Sequence, residues 1–392
     1  MTRRLGAKLG GGAVTRRLGA KVGGGAVTRR AGPWRAIVDS TLHGAVLVVI
    51  GLAIFGCLSP RLPQEELPER PIAFLHWEDR DGQKRGEVFA KAAEAGRPPA
   101  TDSADPEREQ QLEIEAWLRG DMTPQLIPPL AKYPGRLMLL WPRTGELTQV
   151  EAAPRDALPL AWSGDGRTLL LASSHRGRRE QLYEYDLDRD ELRPVTVGPG
   201  EHARGDYLAD GRLLIHRSER RGRVGASEQT LHLSDRTGRI GPALAERVPP
   251  GSVRVLGAGE AVVYEQVVPR PRSNGPTAYE SWVAIRPLSP GAEERLLLKG
   301  REPVLTPDGE WIVFASNSTA GYRLRRMRPD GTSRVAIGPG GSEERMPAVS
   351  PDGEFIVFVQ SASGRRRLVV RRFDGKDERV VLSSGWSEFP VW

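Results

Sequence analysis

The chain has 392 residues, with 45 glycines, 32 prolines and 39% hydrophobic residues, which suits one large all-β domain with many turns. A core of that size needs no disulfide or metal, and the single cysteine excludes an intrachain disulfide. The net charge of +7 arises in residues 1–35, which hold nine basic and no acidic side chains. The rest of the chain has 48 basic and 50 acidic residues and is therefore almost neutral, which argues against a nucleic-acid-binding protein.

Residues 1–35 form a basic leader of low complexity. Residues 2–14 recur almost unchanged at 15–27. Repeats this rich in glycine and arginine cannot bury a core, so we expect the leader to be disordered. Its twin arginines lack the bulky apolar pair that twin-arginine export signals usually carry, which argues against that export route.

Residues 36–58 are predicted to be a signal or anchor segment. Its apolar run, residues 44–58, has 15 residues, fewer than the roughly 20 that a membrane-spanning helix needs. Cys57 stands where a bacterial lipoprotein signal places its lipidated cysteine; Ile54 and Gly56 fit that signal and Phe55 fits poorly. The alternative is an uncleaved signal anchor, since basic residues before an apolar segment keep that end in the cytoplasm. Both alternatives predict a membrane-anchored protein in the periplasm or at the cell surface.

Repeats of 44 to 50 residues run through the rest of the chain. The clearest copies are TPDGEWIVF at 306–314 and SPDGEFIVF at 350–358, and weaker ones stand at 163–173, 208–216 and 256–265. In most copies an Asp-Gly pair favours a tight hairpin, because glycine accepts positive φ and aspartate bonds its own backbone. A second hairpin follows each copy, as at 322–337 and 367–382. Two hairpins per repeat predict a four-stranded blade of the length found in propellers.

The best-defined repeats, 303–314 and 347–358, resemble the TolB-like propeller repeat, a relative of WD-type repeats: Pro-x-[Leu/Val]-[Ser/Thr]-Pro-Asp-Gly, then Ile-Val-Phe, then a hairpin on Asp-Gly. The resemblance implies an all-β, six-bladed β-propeller of four-stranded antiparallel blades over residues 59–392.

The C-terminal residues 387–392 (SEFPVW) repeat the opening of the preceding blade. We therefore expect them to complete a composite closing blade with strands from 70–152, which would leave no open sheet edge. Residues 88–134 are predicted to be an insertion in that blade, with a small helix over 105–120.

No catalytic motif is found. Serine peptidases of the prolyl-oligopeptidase type, which also carry such propellers, need a G-x-S-x-G elbow that this sequence lacks, and no phosphate-binding glycine loop is present. Asp186, Asp188 and Asp190 alternate like a calcium loop but lack its later ligands, which favours a solvated turn. The six histidines show no metal-ligand spacing: His43, His76, His175, His202, His216 and His232.

These observations predict a non-enzymatic propeller that binds a protein or peptide in the bacterial envelope. We expect a monomer with no cofactor, no metal site and no catalytic residues, attached to the membrane by its N-terminal anchor, with lipidation at Cys57 as its one modification site. The alternative is a propeller enzyme, a lyase or a glycan hydrolase, with its site on the central axis, because the fold alone does not separate the two.

Overall fold

The computed structural model describes residues 62–78 and 135–392, except 178, 199, 221–226, 236–238, 247–252, 258, 271–277, 290, 319–320 and 363–364. The leader, the anchor segment with Cys57 and the predicted insertion 88–134 with its helix lie outside the described residues. All described residues belong to one compact unit, Ser59–Trp392.

The described residues form strands almost throughout, with one short 3-10 helix at Gln64–Glu66. The first twelve strands are β1 (Ile72–Trp77), β2 (Arg136–Trp141), β3 (Glu146–Gln149), β4 (Leu158–Trp162), β5 (Thr168–Ser173), β6 (Gln181–Asp186), β7 (Glu191–Pro194), β8 (Glu201–Tyr207), β9 (Leu213–Arg220), β10 (Ser227–Ser234), β11 (Ile240–Glu246) and β12 (Val253–Leu256). The others are β13 (Ala261–Arg270), β14 (Ala278–Pro287), β15 (Arg295–Lys299), β16 (Arg301–Leu305), β17 (Ile312–Ser318), β18 (Gly321–Met327), β19 (Val335–Ala336), β20 (Glu343–Val349), β21 (Phe355–Ala362), β22 (Arg365–Arg372), β23 (Glu378–Leu382) and β24 (Trp386–Val391).

Consecutive strands pair antiparallel into sheets. Four sheets of four strands stand separately: β4 to β7, β8 to β11, β12 to β15 and β16 to β19. A fifth sheet has eight strands in the order β20, β21, β22, β24, β1, β2 and β3, and β23 pairs with β22 beside this path. The predicted all-β propeller of four-stranded antiparallel blades is confirmed. The predicted number of six blades is not confirmed: the described residues form four separate four-stranded blades, and one parallel bridge between Arg366 and Trp386 joins β22 to β24 in the eight-stranded sheet.

The first strand of each repeat contacts the first strand of the next, and these contacts close a ring. β4 contacts β8, and the series continues through β12, β16, β20 and β24 back to β4. At the ends of the chain, β24 pairs antiparallel with β1, with Ala73 opposite Val391. This pairing covers the edge of β1, which would otherwise be open to strands of other chains.

The Asp-Gly turns are built in the same way in successive repeats. The Asp308 carboxylate accepts the Thr306 hydroxyl at 2.5 Å and the backbone N–H of Glu310 at 2.9 Å. Gly309 has φ of 71°, a conformation that glycine adopts without steric cost. Ser350 and Asp352 repeat the hydroxyl–carboxylate bond at 2.5 Å. The repeated Pro-Asp-Gly motif therefore encodes one turn geometry.

Neighbouring Asp-Gly turns lie together at one end of the sheets. Gly353 lies against Pro307, and Gly309 lies against Leu256 of the preceding sheet. We call this end the turn face; it also holds the β4–β5 turn at 163–167. The opposite end, the loop face, holds the β5–β6 turn at 174–180 and the chain ends that flank residues 79–134.

The second strand of each repeat carries the core. In β17, residues 312–315 are fully buried, and residues 356–358 of β21 and 169–171 of β5 are likewise 0% exposed. These runs are continuously apolar rather than alternating, because both faces of each sheet pack against neighbouring sheets. The candidate site is formed around charged side chains that five of the first strands carry: β8, β12, β16, β20 and β24.

Candidate functional site

The six first strands, β4, β8, β12, β16, β20 and β24, are named the inner strands here. The register of β16 and β20 with their partner strands shifts at Glu302 and Met346, which marks a bulge. Glu302, Met346 and Phe389 have positive φ of 54°, 53° and 55°, and each precedes a proline. Non-glycine residues adopt such φ values rarely, at a cost of about 1–3 kcal/mol each. The same conformation recurs at equivalent positions of three neighbouring inner strands, β16, β20 and β24, and is therefore a regular feature of the ring.

A side chain of the preceding inner strand holds Met346 and Phe389, whereas Glu265 on β13 accepts the backbone N–H of Glu302 at 3.2 Å. The Glu302 carboxylate accepts the backbone N–H of Met346 at 2.7 Å and the Arg345 guanidinium at 2.7 Å. The Met346 sulfur in turn accepts the backbone N–H of Phe389 at 3.4 Å. Burial tends to raise the pKa of Glu302, but Arg345, Arg301 and the Met346 N–H outweigh it and hold that pKa below its ordinary value. Glu302 thus stays ionised.

A second set of charged contacts joins the β12–β15 sheet to β16. Arg301 donates to Glu265 at 3.0 Å, and the two side chains are 10% and 11% exposed. Arg301 and Arg345 both lie on the ring of Tyr322, at 6.0 Å and 4.9 Å from its centroid. Low exposure strengthens such ion pairs and cation–π contacts relative to those at the surface.

The eight-stranded sheet contributes two more buried carboxylates. Glu344 on β20 is fully buried and accepts Arg371 at 2.6 Å, and Arg371, 1% exposed, also bonds Glu378 at 2.6 Å. Burial tends to lower the pKa of Arg371, but the bonds to the two carboxylates outweigh this effect, and the pKa lies above its ordinary value. Glu388 on β24, 1% exposed, accepts Arg366 at 2.5 Å.

Around β8 and β12, the effect of burial on the pKa values outweighs that of the nearby opposite charges. Asp206 accepts the backbone N–H of Val255 at 3.0 Å, which links the two sheets. Burial raises the pKa of Asp206 although Arg254 lies close, and burial raises that of Glu180 although Arg204 lies close. Burial also lowers the pKa of Arg204. Perturbed carboxylates beside arginines are the kind of group that accumulates at functional sites.

Sequence reasoning did not find these inner-strand charges. The available signal was the pair of residues before each repeat proline: Arg301-Glu302, Arg345-Met346 and Glu388-Phe389. The sequence shows a charged residue beside each of these prolines, but it does not show which residue of the neighbouring sheet is its partner.

The candidate residues named from sequence are dispersed. Asp186, Asp188 and Asp190 lie in or beside the β6–β7 turn, where Asp186 accepts the backbone N–H groups of Asp188 and Arg189, both at 3.1 Å. His76 bonds Ser387 at 3.1 Å, and His175 bonds Ser173 at 2.9 Å.

Three other histidines, His202, His216 and His232, are buried on neighbouring strands of one sheet. Within the described part of the chain, no three His, Cys, Asp or Glu side chains are grouped to hold a metal ion. Cys57 and His43 lie outside the described residues, so lipidation of Cys57 stays a prediction. Among the residues with described structure, no helix is long and apolar enough to cross a membrane.

Comparison with known proteins identifies the fold. No family model matches the sequence, and no curated protein matches it. Among solved structures, TolB from Acinetobacter baumannii matches with a TM-score of 0.54 and 16% identity, over 91% of this chain and 74% of that one. The chain folds as a β-propeller similar to the propeller of TolB.

Two further structures are similar to this TolB-like propeller. Hydrazine synthase of Kuenenia stuttgartiensis matches with a TM-score of 0.55 and 14% identity, over 83% of this chain and 47% of that one. A TolB-type protein of Agrobacterium tumefaciens is 22% identical over 62% of this chain and 87% of its own, with a TM-score of 0.49. At such identities the likeness concerns the fold.

Proposed function

We propose that this TolB-like propeller is a membrane-anchored, extracytoplasmic scaffold that binds a protein or peptide of the bacterial envelope. The observation that carries the binding role is the set of partly exposed charged side chains on the inner strands, Arg204, Arg254, Glu302 and Arg345. Contacts from neighbouring sheets hold Glu302 and Arg345 in place. A polar surface already fixed in position loses little side-chain freedom on binding, which favours affinity and specificity.

Anchoring through lipidated Cys57, or through the uncleaved segment 36–58, would place the propeller in the periplasm or at the cell surface. Two acyl chains on one residue provide a stable membrane attachment. Mass spectrometry of the mature protein should find a diacylglyceryl group on Cys57. An intact leader in the membrane fraction would instead support the signal anchor, and release of the protein in soluble form would contradict both.

We also propose that the eight-stranded sheet serves as two blades, which makes the propeller six-bladed. Each half of that sheet begins with an inner strand, β20 or β24, and a single bridge joins the halves. The closed series of contacts among six inner strands supports this count. An experimental density map with any other number of blades around the axis would contradict it.

A site-specific cross-linking experiment tests the binding role. A photoreactive amino acid replaces Arg254 on an inner strand, and the matched control replaces Arg189, an exposed residue of the β6–β7 turn. We expect a discrete cross-linked envelope protein from position 254 and none from 189. That protein, once purified, should bind the Arg345→Ala variant at least tenfold more weakly, a loss of about 1.4 kcal/mol. Equal cross-linking from both positions would contradict a partner at the inner strands.

The alternative is an enzyme with its site on the axis, and the raised pKa values of Glu180 and Asp206 beside arginines are the observation that favours it. A carboxyl group with a raised pKa can act as a general acid in glycan cleavage. A panel of acidic and neutral polysaccharides should then yield unsaturated or reducing ends, and the Glu180→Gln and Asp206→Asn variants should lose that activity. Wild-type protein inactive on the whole panel would argue for the scaffold.

A further inference from the structure

The segment 62–71, named the strap here, runs across the turn face and connects three parts of the ring. Arg379 on β23 donates to the Leu62 carbonyl at 3.4 Å and to the Gln64 side chain at 2.7 Å. At its other end, Arg70 donates to the Gly164 carbonyl in the β4–β5 turn at 3.2 Å. The strap therefore extends from the eight-stranded sheet to the first strands of the next one.

The strap is also tied down between these ends. Arg143, in the β2–β3 turn, donates to the Glu65 carbonyl at 3.1 Å and pairs with Glu69 at 2.5 Å. Leu62 and Leu67 are both 0% exposed and belong to the same apolar cluster as Phe355. Burying one such leucine stabilises the attached state by about 1.5–3 kcal/mol. The strap is thus an integral part of the fold.

The strap lies on one face only. Its contacts at Arg143 and Gly164 are in turns of the turn face, and the Gln64 side chain lies beside Gly145 of the same turn as Arg143. The opposite ends of β1 and β2, at Glu78 and Gly135, are at the loop face. A six-residue strand is about 20 Å long, so the two faces are separated by roughly that distance.

The length of chain before the strap limits the orientation of the propeller. Cys57 precedes Leu62 by five residues, which span at most about 17 Å when fully extended. We infer that the turn face docks toward a lipid surface and that the loop face points away from it, toward the aqueous partner. This inference rests on the proposed anchoring at or before Cys57. It holds for both modes of anchoring, because the apolar run reaches Leu58.

The loop face has the features that a partner would need. The inner strands β8 and β20 begin there with Glu201 and Glu343, both of which are partly exposed. A cavity of about 260 Å³ lies at the same end of β2 and β3, with Arg136 and Arg155 in its lining. Under this orientation these groups face the aqueous phase, so an envelope protein could reach them without competing with the membrane.

The test places a fluorophore at either end of one strand, β5. The full-length Arg167→Cys variant is labelled on the turn face, and the full-length Arg176→Cys variant on the loop face; both side chains are exposed. The proteins are reconstituted into phosphatidylcholine vesicles that carry a nitroxide on the lipid headgroup. Native protein treated with the same reagent measures any label on Cys57. We expect severalfold stronger quenching at position 167 than at position 176.

The possible outcomes separate the orientation from the anchoring. Flotation of the vesicles on a density gradient shows first whether the protein is attached. Protein that does not float overturns the anchored scaffold and this inference with it. Protein that floats but is quenched more strongly at position 176, or equally at both positions as in an edge-on arrangement, overturns the orientation alone.

Discussion

At the residue scale, the inner part of the ring depends on charged groups whose partners come from other strands. Arg301 pairs with Glu265, which is 36 residues earlier in the chain, and Arg371 pairs with Glu344 across 27 residues. Repeat spacing alone does not reveal such pairs, since the repeated motif is apolar and the charged positions differ from blade to blade. Only adjacency in the folded ring brings the partners together.

Removal of Arg371 should be strongly destabilising. The Arg371→Ala variant leaves Glu344, 0% exposed, without its guanidinium partner, and a buried uncompensated charge costs about 3–5 kcal/mol. Urea denaturation should show that loss in the free energy of unfolding. The control is Arg193→Ala, whose 67% exposed side chain pairs with Glu184 and should contribute about 0–1 kcal/mol. Equal losses in the two variants would contradict a special role for the buried pair.

His202 should make the stability of the fold depend on pH. Burial, Arg217 and His232 lower its pKa from the ordinary 6.5 to about 4. In the unfolded chain, His202 takes up a proton near pH 6.5, whereas in the folded protein it stays neutral until about pH 4. The free energy of unfolding should therefore be highest above pH 6.5 and should decrease as the pH falls from 6.5 toward 4. The His202→Gln variant should show a shallower fall in melting temperature over that window than the wild type. Parallel curves would show that His202 does not titrate differently in the folded state.

At the scale of elements, the turns and core strands were predictable because their signals are local. An Asp-Gly pair flanked by β-branched and aromatic residues specifies a hairpin without knowledge of distant contacts, and the turns at Gly309 and Gly353 have the expected positive φ. The strap was not predicted, because residues 62–71 are rich in proline and glutamate and show no strand periodicity. Its burial depends on two leucines that fit between elements far apart in the chain.

The two buried leucines, Leu62 and Leu67, should account for most of the strap's contribution to the free energy of unfolding. The Leu67→Ala variant should lower the free energy of unfolding by about 2–5 kcal/mol, because Leu67 is fully buried. Chemical denaturation measures this change. Leu147→Ala is the matched control: its side chain on β3 is 40% exposed, and we expect a loss well below that of Leu67→Ala. A Leu67→Ala variant as stable as the wild type would mean that the strap is loosely attached, and the orientation inferred from it would lose its basis.

At the scale of the whole molecule, the ring is completed by strands from the two ends of the described chain. Within the eight-stranded sheet, β24 lies between β22 and β1, so the contact that closes the ring joins strands from opposite ends of the described chain. Contacts so distant in sequence carry a large loop-closure cost, and a crosslink between them should remove more denatured-state entropy than one within a single hairpin.

A disulfide across this closure should therefore stabilise the protein. Ala73 and Val391 lie opposite each other in the β1–β24 pair. In a Cys57→Ser background, the Ala73→Cys and Val391→Cys variant should oxidise to a disulfide and gain about 2–4 kcal/mol in the free energy of unfolding over its reduced form. The reduced form is the control for any packing damage at these two buried positions. Thiols that stay free under oxidising conditions would contradict the adjacency of the two strands, and with it the closure of the ring at β24.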